Sequence, residues 1–232
     1  MNTDDVRGAF GIDGNGTRIG VLSDSYDTSP NASTTAADDI ASGDLPPADR
    51  ILVQDDGIVG SDEGRGMMQL IYDVAPGADL AFHTAFDGQA NFDEGILALA
   101  DAGADVIVDD IFYFAEPFYQ DGVIAQAVDE VAANGVPYFS SAGNSARQSY
   151  ASSSFTTVTA EDGDEVYDFD PGAAVDTLQQ VTVPVGASVT ISFQWDDPFR
   201  SVTGDPARAA DTDLDIVLVD RTNPFGNRRT LP

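Results

Sequence analysis

Hydrophobic positions in the first 145 or so residues form strand-like runs that alternate with helix-like stretches. The runs typical of buried strands lie at 18–22, 50–54, 79–86, 106–108 and 136–141. The stretches typical of helices lie at 34–41, 63–74, 92–102 and 122–133. Repeated βα units of this length favour a parallel sheet with helices on both faces. We therefore predict an α/β fold built on a doubly wound parallel sheet.

The stretch at 63–74 has the clearest helical pattern. Its apolar side chains recur at helical spacing, namely Met67, Leu70, Ile71 and Val74. Pro76 and Gly77 follow, and proline cannot continue the helical hydrogen bonds while glycine suits the turn after a helix. The pattern predicts a helix that begins near Glu63 and ends before Pro76.

The pattern changes after about residue 149. A serine run at 152–154 resembles a linker, and the segments 178–183, 188–195 and 214–219 are rich in Val, Ile, Thr and aromatic residues. These segments predict a partial antiparallel β-sandwich-like region. We assign residues 1–150 to the α/β domain and residues 151–232 to an inserted β-rich domain that is incomplete.

The excess of acidic residues is the strongest compositional feature of the chain. The 232 residues include 40 Asp and Glu, of which 34 are Asp, against 10 Arg and no Lys, for a net charge of −30. Such a surface repels phosphate backbones, which argues against a nucleic-acid partner. Self-repulsion fades near 1 M salt, where the Debye length is about 3 Å. The composition resembles that of proteins from extreme halophiles; an acidic secreted protein of a GC-rich bacterium is the alternative.

The composition also argues against cysteine-based sites, a membrane span and a signal peptide. There is no cysteine, so disulfides, thiolate nucleophiles and Cys-rich zinc sites are absent. No apolar run reaches the length of a membrane span. The N-terminus has neither a basic segment nor an apolar core, so we expect no signal peptide in this sequence.

Polar residues follow several predicted strands at their carboxyl ends, where open parallel sheets collect functional groups. Asp24 follows the first strand and Asn144 follows the fifth. Glu63 begins the predicted helix after the second strand. These three residues are the candidates for chemistry.

Three segments together resemble the subtilisin-like serine peptidases. Residues 19–25 resemble the family's first strand with its triad aspartate, and residues 140–145 resemble its oxyanion segment. Residues 105–110 lie where the family has its substrate-lining strand. The resemblance covers residues 8 to about 147. It implies that Asp24 belongs to the triad, that Asn144 donates to the oxyanion and that Asp110 lines the substrate site.

Two departures limit the resemblance. The family's base is a His in a His-Gly-Thr motif, whereas Glu63 and Gly64 occupy that place here, as a Glu does in the related sedolisin peptidases. A glutamate has an ordinary pKa of about 4.3, so the resemblance implies an acidic optimum, with Asp24 and Glu63 sharing a proton. The nucleophile segment, Gly-Thr-Ser-x-Ala, does not occur in the chain. We therefore expect a serine-type endopeptidase domain, extracellular by resemblance, that is inactive as this chain.

Each candidate also has a structural alternative. Asp24 is a common residue type in strand-end turns, Glu63 suits the first turn of a helix, and Asn144 suits a left-handed turn. Asp110 suits either a substrate cleft or a turn cap. The lone histidine, His83, lies inside a predicted strand and is interpreted as structural.

One group of aspartates suggests a calcium site. Asp211, Asp213 and Asp215 alternate, so on a strand they would share one face, and clustered carboxylates suit Ca²⁺. In a chain so rich in Asp, such clusters arise easily by chance. We therefore predict no cofactor and keep Ca²⁺ as the alternative.

Two other functions compete with a peptidase acting on peptide or protein substrates. The first is a non-enzymatic binding or adhesion module in which the β-rich region recognises the ligand. The second is a nucleotide-binding domain. It is disfavoured because the turn at 23–27 offers carboxylates where phosphate requires glycine amides.

Overall fold

The computed structural model describes residues 3–145, 147–170, 172–219 and 229–230. The chain forms an α/β structure around a five-stranded parallel sheet, as the alternating pattern predicts. The strands are β1 (Arg18–Ser23), β2 (Ile51–Asp55), β3 (Asp79–Thr84), β4 (Val106–Asp109) and β5 (Tyr138–Ser140). Their order across the sheet is β2-β3-β1-β4-β5, which places β1 at the centre.

Helices connect these strands. They are α1 (Thr3–Phe10), α2 (Ala36–Ser42), α3 (Glu63–Val74), α4 (Gln89–Asp101) and α5 (Val123–Ala133), with a short 3₁₀ turn at Ala48–Arg50. The helix α1 is absent from the sequence predictions. The other four helices lie within three residues of their predicted boundaries.

Local sequence explains where α2 begins and ends. The Thr35 hydroxyl accepts a hydrogen bond from the Asp38 backbone N–H, and the Asp38 carboxylate accepts one from the Thr35 backbone. This capping box satisfies two donors that the first helical turn leaves free. At the other end, Gly43 takes the left-handed conformation that closes the helix.

Both faces of the sheet are packed. Adjacent residues of β1 point to opposite sides, so Leu22 packs with α4 and α5 whereas Val21 packs with α3. The first face is filled by fully buried side chains that include Ala81, Phe92, Ile96, Leu99 and Ile107. The second face is filled by Leu45, Met68, Leu80 and Phe82.

Regular structure is sparse after β5. The described strands there are β6 (Thr157–Thr159), β7 (Glu165–Tyr167), β8 (Val217–Leu218) and β9 (Arg229–Thr230), with the helix α6 (Arg200–Thr203) and a 3₁₀ turn at Pro206–Arg208. Two antiparallel pairs form, β6 with β7 and β8 with β9. The predicted sandwich-like region is not confirmed.

The segments predicted as strands at 178–183 and 188–195 have no regular secondary structure. Their β-branched side chains are exposed, as at Val181 (49%), Val189 (53%) and Ile191 (40%). Alternating apolar residues favour a strand when one face is buried against something. The exposure of these side chains shows that this condition is not met here.

Two compact units divide the chain. One contains the residues up to Ala142 together with those from Phe193 onward, and the other runs from Gly143 to Ser192. The first unit therefore consists of two separate stretches of sequence. The domain boundary that the sequence predicts between residues 150 and 151 stays a prediction. In the described part of the chain, no helix is long and apolar enough to cross a membrane.

Truncating a core side chain tests the packing of the first face. Leu99 is fully buried, whereas Leu70 on α3 is 67% exposed. We expect Leu99→Ala to lower the free energy of unfolding by about 2–5 kcal/mol, because it removes buried methyl groups and leaves a cavity. The matched control Leu70→Ala should change it by less than about 0.5 kcal/mol. Urea unfolding near 1 M salt, where self-repulsion is screened, measures both; equal effects would contradict the assignment of the core.

Candidate active site

The carboxylate of Asp24 joins the end of β1 to the start of α3. Asp24 is 8% exposed. Its Oδ2 accepts hydrogen bonds from the backbone N–H and the hydroxyl of Ser61, at 2.5 and 2.6 Å. Its Oδ1 accepts from the backbone N–H groups of Ser25 (2.5 Å) and Glu63 (3.0 Å). Burial acts to raise the pKa of Asp24, but the hydrogen bonds from Ser61, Ser25 and Glu63 hold that pKa below its ordinary value.

Two glycines allow this close approach. A Cβ atom at Gly60 would collide with the side chains of Ser25 and Asp24. A Cβ atom at Gly64 would collide with the ring of Phe82 and the carbonyl oxygen of Ser25. The absence of side chains at these positions lets the beginning of α3 lie directly against the end of β1.

Glu63 is the first residue of α3, and its side chain is exposed. The direct link to Asp24 runs through the backbone N–H of Glu63. The first turn of a helix favours a negative side chain, because the free N–H groups there carry partial positive charge. The Glu63 carboxylate is therefore held at the sheet edge by backbone geometry and is open to solvent.

Asp110 brings a third carboxylate to this edge. It follows β4, which pairs directly with β1. Burial raises its pKa to about 6, and repulsion from the carboxylates of Glu63, Asp109 and Asp24 adds to the rise, while the Ser23 hydroxyl acts in the opposite direction. Asp24, Glu63 and Asp110 thus lie near enough to influence one another. Asp110 is therefore protonated more readily than an ordinary aspartate.

A second carboxyl lies beneath Asp110 in the sheet. Asp109 is 3% exposed and accepts a hydrogen bond from the Ser140 hydroxyl at 3.0 Å. Burial raises the pKa of Asp109, although hydrogen bonding from Tyr138 and Ser140 opposes the rise. The same burial, together with the nearby Asp109 carboxylate, raises the pKa of Tyr138. The buried Asp109 carboxyl therefore links β4 to β5 and is not accessible to a ligand.

Arg65 lies among three carboxylates behind the site. Its side chain is 5% exposed. Its guanidinium nitrogens lie 2.5 Å from Asp27 Oδ1, 2.9 Å from Asp39 Oδ2 and 3.0 Å from Asp62 Oδ2. The guanidinium also donates to two backbone carbonyl oxygens, those of Tyr26 and Thr34. One buried cation therefore holds the loop after β1, the helix α2 and the start of α3 together.

Asp62 holds the turn that positions Glu63. Its backbone has a φ of 63°, in the left-handed region that residues other than glycine rarely adopt. Its Oδ1 accepts hydrogen bonds from the Ser25 hydroxyl (3.0 Å) and from the backbone N–H groups of Thr28 and Ser29 (both 2.9 Å). These bonds and the contact with Arg65 maintain the unfavourable backbone conformation.

The other predicted residues are placed differently. Asn144 is an exposed residue at a bend in the second compact unit, so its predicted oxyanion role stays a prediction. His83 is buried in β3, and its Nδ1 lies 2.7 Å from the carbonyl oxygen of Thr84. This placement agrees with the structural interpretation of His83.

No metal centre is evident in the described part of the chain, where no three His, Asp or Glu side chains are grouped to hold an ion. Asp211, Asp213 and Asp215 are exposed and form no such group. The structure therefore offers no support for the calcium alternative.

Sequence reasoning missed Ser61 and Arg65. Ser61 donates twice to Asp24, yet it lies in a loop whose composition gives no sign of that role. Arg65 had a detectable signal, because an arginine three residues after an aspartate at a helix start lies on the same side of the helix. The contacts with Asp27 and Asp39 depend on the tertiary fold.

Comparisons with known proteins add little to this geometry. No protein-family model matches the chain, and no curated protein matches it. Among solved structures, the chain is similar to "PatG macrocyclase in complex with peptide", at 13% sequence identity and a TM-score of 0.35. The similarity covers 65% of this chain and 57% of that chain. A similarity at this level carries no functional information.

Replacing Arg65 tests the ion-pair cluster. We expect Arg65→Met to lower the free energy of unfolding by about 3–5 kcal/mol, because Asp39 and Asp62 would remain buried without their cation. Arg65→Lys should have an intermediate effect, since an ammonium cannot reproduce the planar set of donors. The exposed Arg200→Met serves as control, with a change below about 0.5 kcal/mol. Denaturant unfolding measures all three; a harmless Arg65→Met would contradict the cluster's role.

The raised pKa of Asp110 predicts a pH dependence of stability. Its folded-state pKa of about 6 exceeds the ordinary value of 3.8, so the folded chain binds more protons than the unfolded chain between these values. This residue therefore makes the free energy of unfolding fall as pH rises from 3.8 to about 6. We expect the Asp110→Asn variant to lack this fall in the free energy of unfolding, whereas Asp129→Asn, on the exposed face of α5, should retain it. Identical pH slopes for the first variant and the natural chain would contradict the assignment.

Proposed function

We propose that this chain is the larger part of a subtilisin-like serine endopeptidase domain, whose nucleophile segment lies beyond Pro232. The observation that carries the proposal is the hydrogen-bonded junction between Asp24 and the start of α3, which sets Glu63 beside Asp24 at the carboxyl edge of the sheet. The pairing of β4 with β1 brings Asp110 to the same edge. This arrangement agrees with the triad-like roles that the sequence resemblance implies. The chain alone is expected to be inactive towards peptide bonds.

Each residue has a distinct role in the proposed chemistry. Glu63 presents an exposed carboxylate that can accept the proton of an attacking hydroxyl. Asp24 is fixed in its charged form by hydrogen bonds and positions the backbone of Glu63. Asp110, with a pKa of about 6, can donate a hydrogen bond at acidic pH to a substrate carbonyl group. Asn144 would stabilise the oxyanion.

The setting of the protein is also part of the proposal. A net charge of −30 and the absence of lysine favour a salt-rich environment, where the surface charges are screened. An extracellular location follows from the peptidase proposal. The substrate is proposed to be a peptide or protein.

A binding or adhesion module remains the second candidate function. It is favoured by the aromatic cluster on the second compact unit, in which the rings of Tyr150 and Phe169 lie 5.4 Å apart and those of Phe155 and Tyr167 lie 5.2 Å apart. Tyr150 and Phe155 are 51% and 63% exposed. Exposed aromatic groups of this kind occur at recognition surfaces.

Sequencing the DNA beyond the codon for Pro232 and expressing the longer product tests the proposed function. We expect a Gly-Thr-Ser segment downstream and hydrolysis of a quenched fluorescent peptide by the longer protein. Asp24→Asn and Glu63→Gln should each lower kcat/KM by about 10²–10⁴-fold, as expected when acid–base groups are lost. The control is Glu94→Gln, an exposed position on α4.

The pH profile of the same protein gives an independent result. The rate should be highest at acidic pH, because Asp110 is protonated below about 6. A downstream sequence without the nucleophile segment, or a rate that rises only above neutrality, would contradict the proposed function. The first of these outcomes would favour the binding module.

A further inference from the structure

Charge is distributed unevenly between the two edges of the parallel sheet. The loops that follow β1 to β4 lie at its carboxyl edge. We refer to residues 24–29, 55–63, 85–88 and 109–121 together as the carboxyl-edge loops; these ranges include the last residue of β2, the last residue of β4 and the first residue of α3. They contain eleven Asp and Glu residues and neither Arg nor Lys. The candidate active site lies among them.

The arginines of the α/β part lie elsewhere. Arg18 is the first residue of β1, and Arg50 lies directly before β2, so both are at the amino edge. Arg7 donates to the carbonyl oxygens of Asp73 and Val74 at the end of α3, also at that edge. Arg65 is near the carboxyl edge but is buried and already paired. The carboxyl-edge loops therefore form a surface whose negative charge is left largely unbalanced.

The same loops expose large apolar side chains. Seven of them are between 48% and 83% exposed, namely Ile58, Val59, Phe86, Phe112, Phe114, Phe118 and Tyr119. Single exposed apolar residues are common, but several among loops at one sheet edge are typical of a binding surface. The rings of Phe112 and Phe114 pack edge to face with centroids 4.9 Å apart, which orders two of them.

The aromatic loop is held in place by the segment that returns after residue 192. The Gln194 side chain donates to the carbonyl oxygens of Phe114 and Glu116 and accepts a hydrogen bond from the N–H of Phe118. In the reverse direction, the Gln120 side chain accepts from the N–H of Phe199. The exposed aromatic residues are thus carried on an ordered loop, which lowers the entropy lost on binding. Arg200 follows this segment, but one cation does not balance the nine carboxylates of these loops that are not paired with Arg65.

We propose that the carboxyl-edge loops bind a basic peptide segment in which Arg or Lys residues flank large apolar side chains. The inference rests on the proposed function, because it names the substrate class of that site. Carboxylates attract the cationic residues of the peptide, and the exposed rings bind its apolar side chains and the faces of its cations. Nucleic acids, anionic membranes and a second copy of this acidic chain are repelled by the same surface.

Fluorescence anisotropy with three labelled peptides tests the binding chemistry directly, because it needs no catalysis. The first peptide has a Phe-Leu-Phe core with Arg flanks, the second has the same core with Glu flanks, and the third has a Ser-Gly-Ser core with Arg flanks. We expect the first to bind at least about tenfold more tightly than either of the others near 0.1 M salt. The difference in affinity between the first peptide and the Glu-flanked peptide should shrink near 1 M salt, because the screening length is shorter there.

Matched variants locate the surface. Phe112→Ser with Phe114→Ser should weaken binding of the first peptide by at least about tenfold, whereas Leu70→Ser, at an exposed apolar position on α3, should not. Asp87→Asn with Asp121→Asn should weaken it by about threefold at low salt, whereas Asp129→Asn on α5 should not. Circular dichroism confirms that each variant is folded under the conditions of the assay.

The outcomes separate this inference from the proposed function. Equal affinity for the Arg-flanked and Glu-flanked peptides, or binding that survives Phe112→Ser with Phe114→Ser, would overturn the inference. Self-association by light scattering that these two changes abolish would also overturn it, in favour of a second copy as occupant. Hydrolysis by the longer product without preference for basic apolar peptides overturns the inference alone. Selective binding without a downstream nucleophile segment supports the inference and overturns the proposed peptidase.

Discussion

The hydrogen bonds that the Asp24 carboxylate accepts from Ser61 and Glu63 hold the central strand and the helix α3 in one fixed relation. The other features of the site depend on that junction. It places Glu63 at the carboxyl edge, near Asp110, and it requires Gly64 because a side chain there would displace the helix. Because the same bonds lower the pKa of Asp24, the carboxylate keeps its charge, and the junction persists, under acidic conditions that protonate Asp110.

Arg65 provides the cation without which this junction would be electrostatically unfavourable. Three carboxylates face it, and two of them, Asp39 and Asp62, are almost fully buried. Buried ion pairs recover little net stability, but the loss of one partner leaves an uncompensated charge. The structure thus places one buried cation behind the site and leaves the carboxyl-edge loops in front of it negative. Burial is the main reason that Asp110 is readily protonated, and the neighbouring carboxylates add to that effect. The unbalanced negative charge of the loops is the reason for the proposed preference for cationic ligands.

Local patterns predicted much of the α/β part. The α3 boundaries agree with prediction, because helical spacing, an acidic first turn and Pro76 all indicate the same element. The pattern at 178–195 was misleading, since β-branched residues form strands only when a surface buries them, and here they are exposed. The helix α1 was missed because it is short, includes a glycine and buries none of its residues, while its contact with α3 runs through Arg7.

The amino-acid sequence by itself determined the alternation of strands and helices, the excess of carboxylates and the positions of Asp24 and Glu63 at element ends, because spacing and composition are local properties. Only the tertiary structure decided which carboxylates meet. Asp110 comes beside Asp24 because β4 pairs with β1, although 85 residues separate them along the chain. Its raised pKa, the pairing of Arg65 with Asp27 and Asp39, and the exposure of Phe112 depend on burial and distance. Such quantities arise only when distant segments pack together.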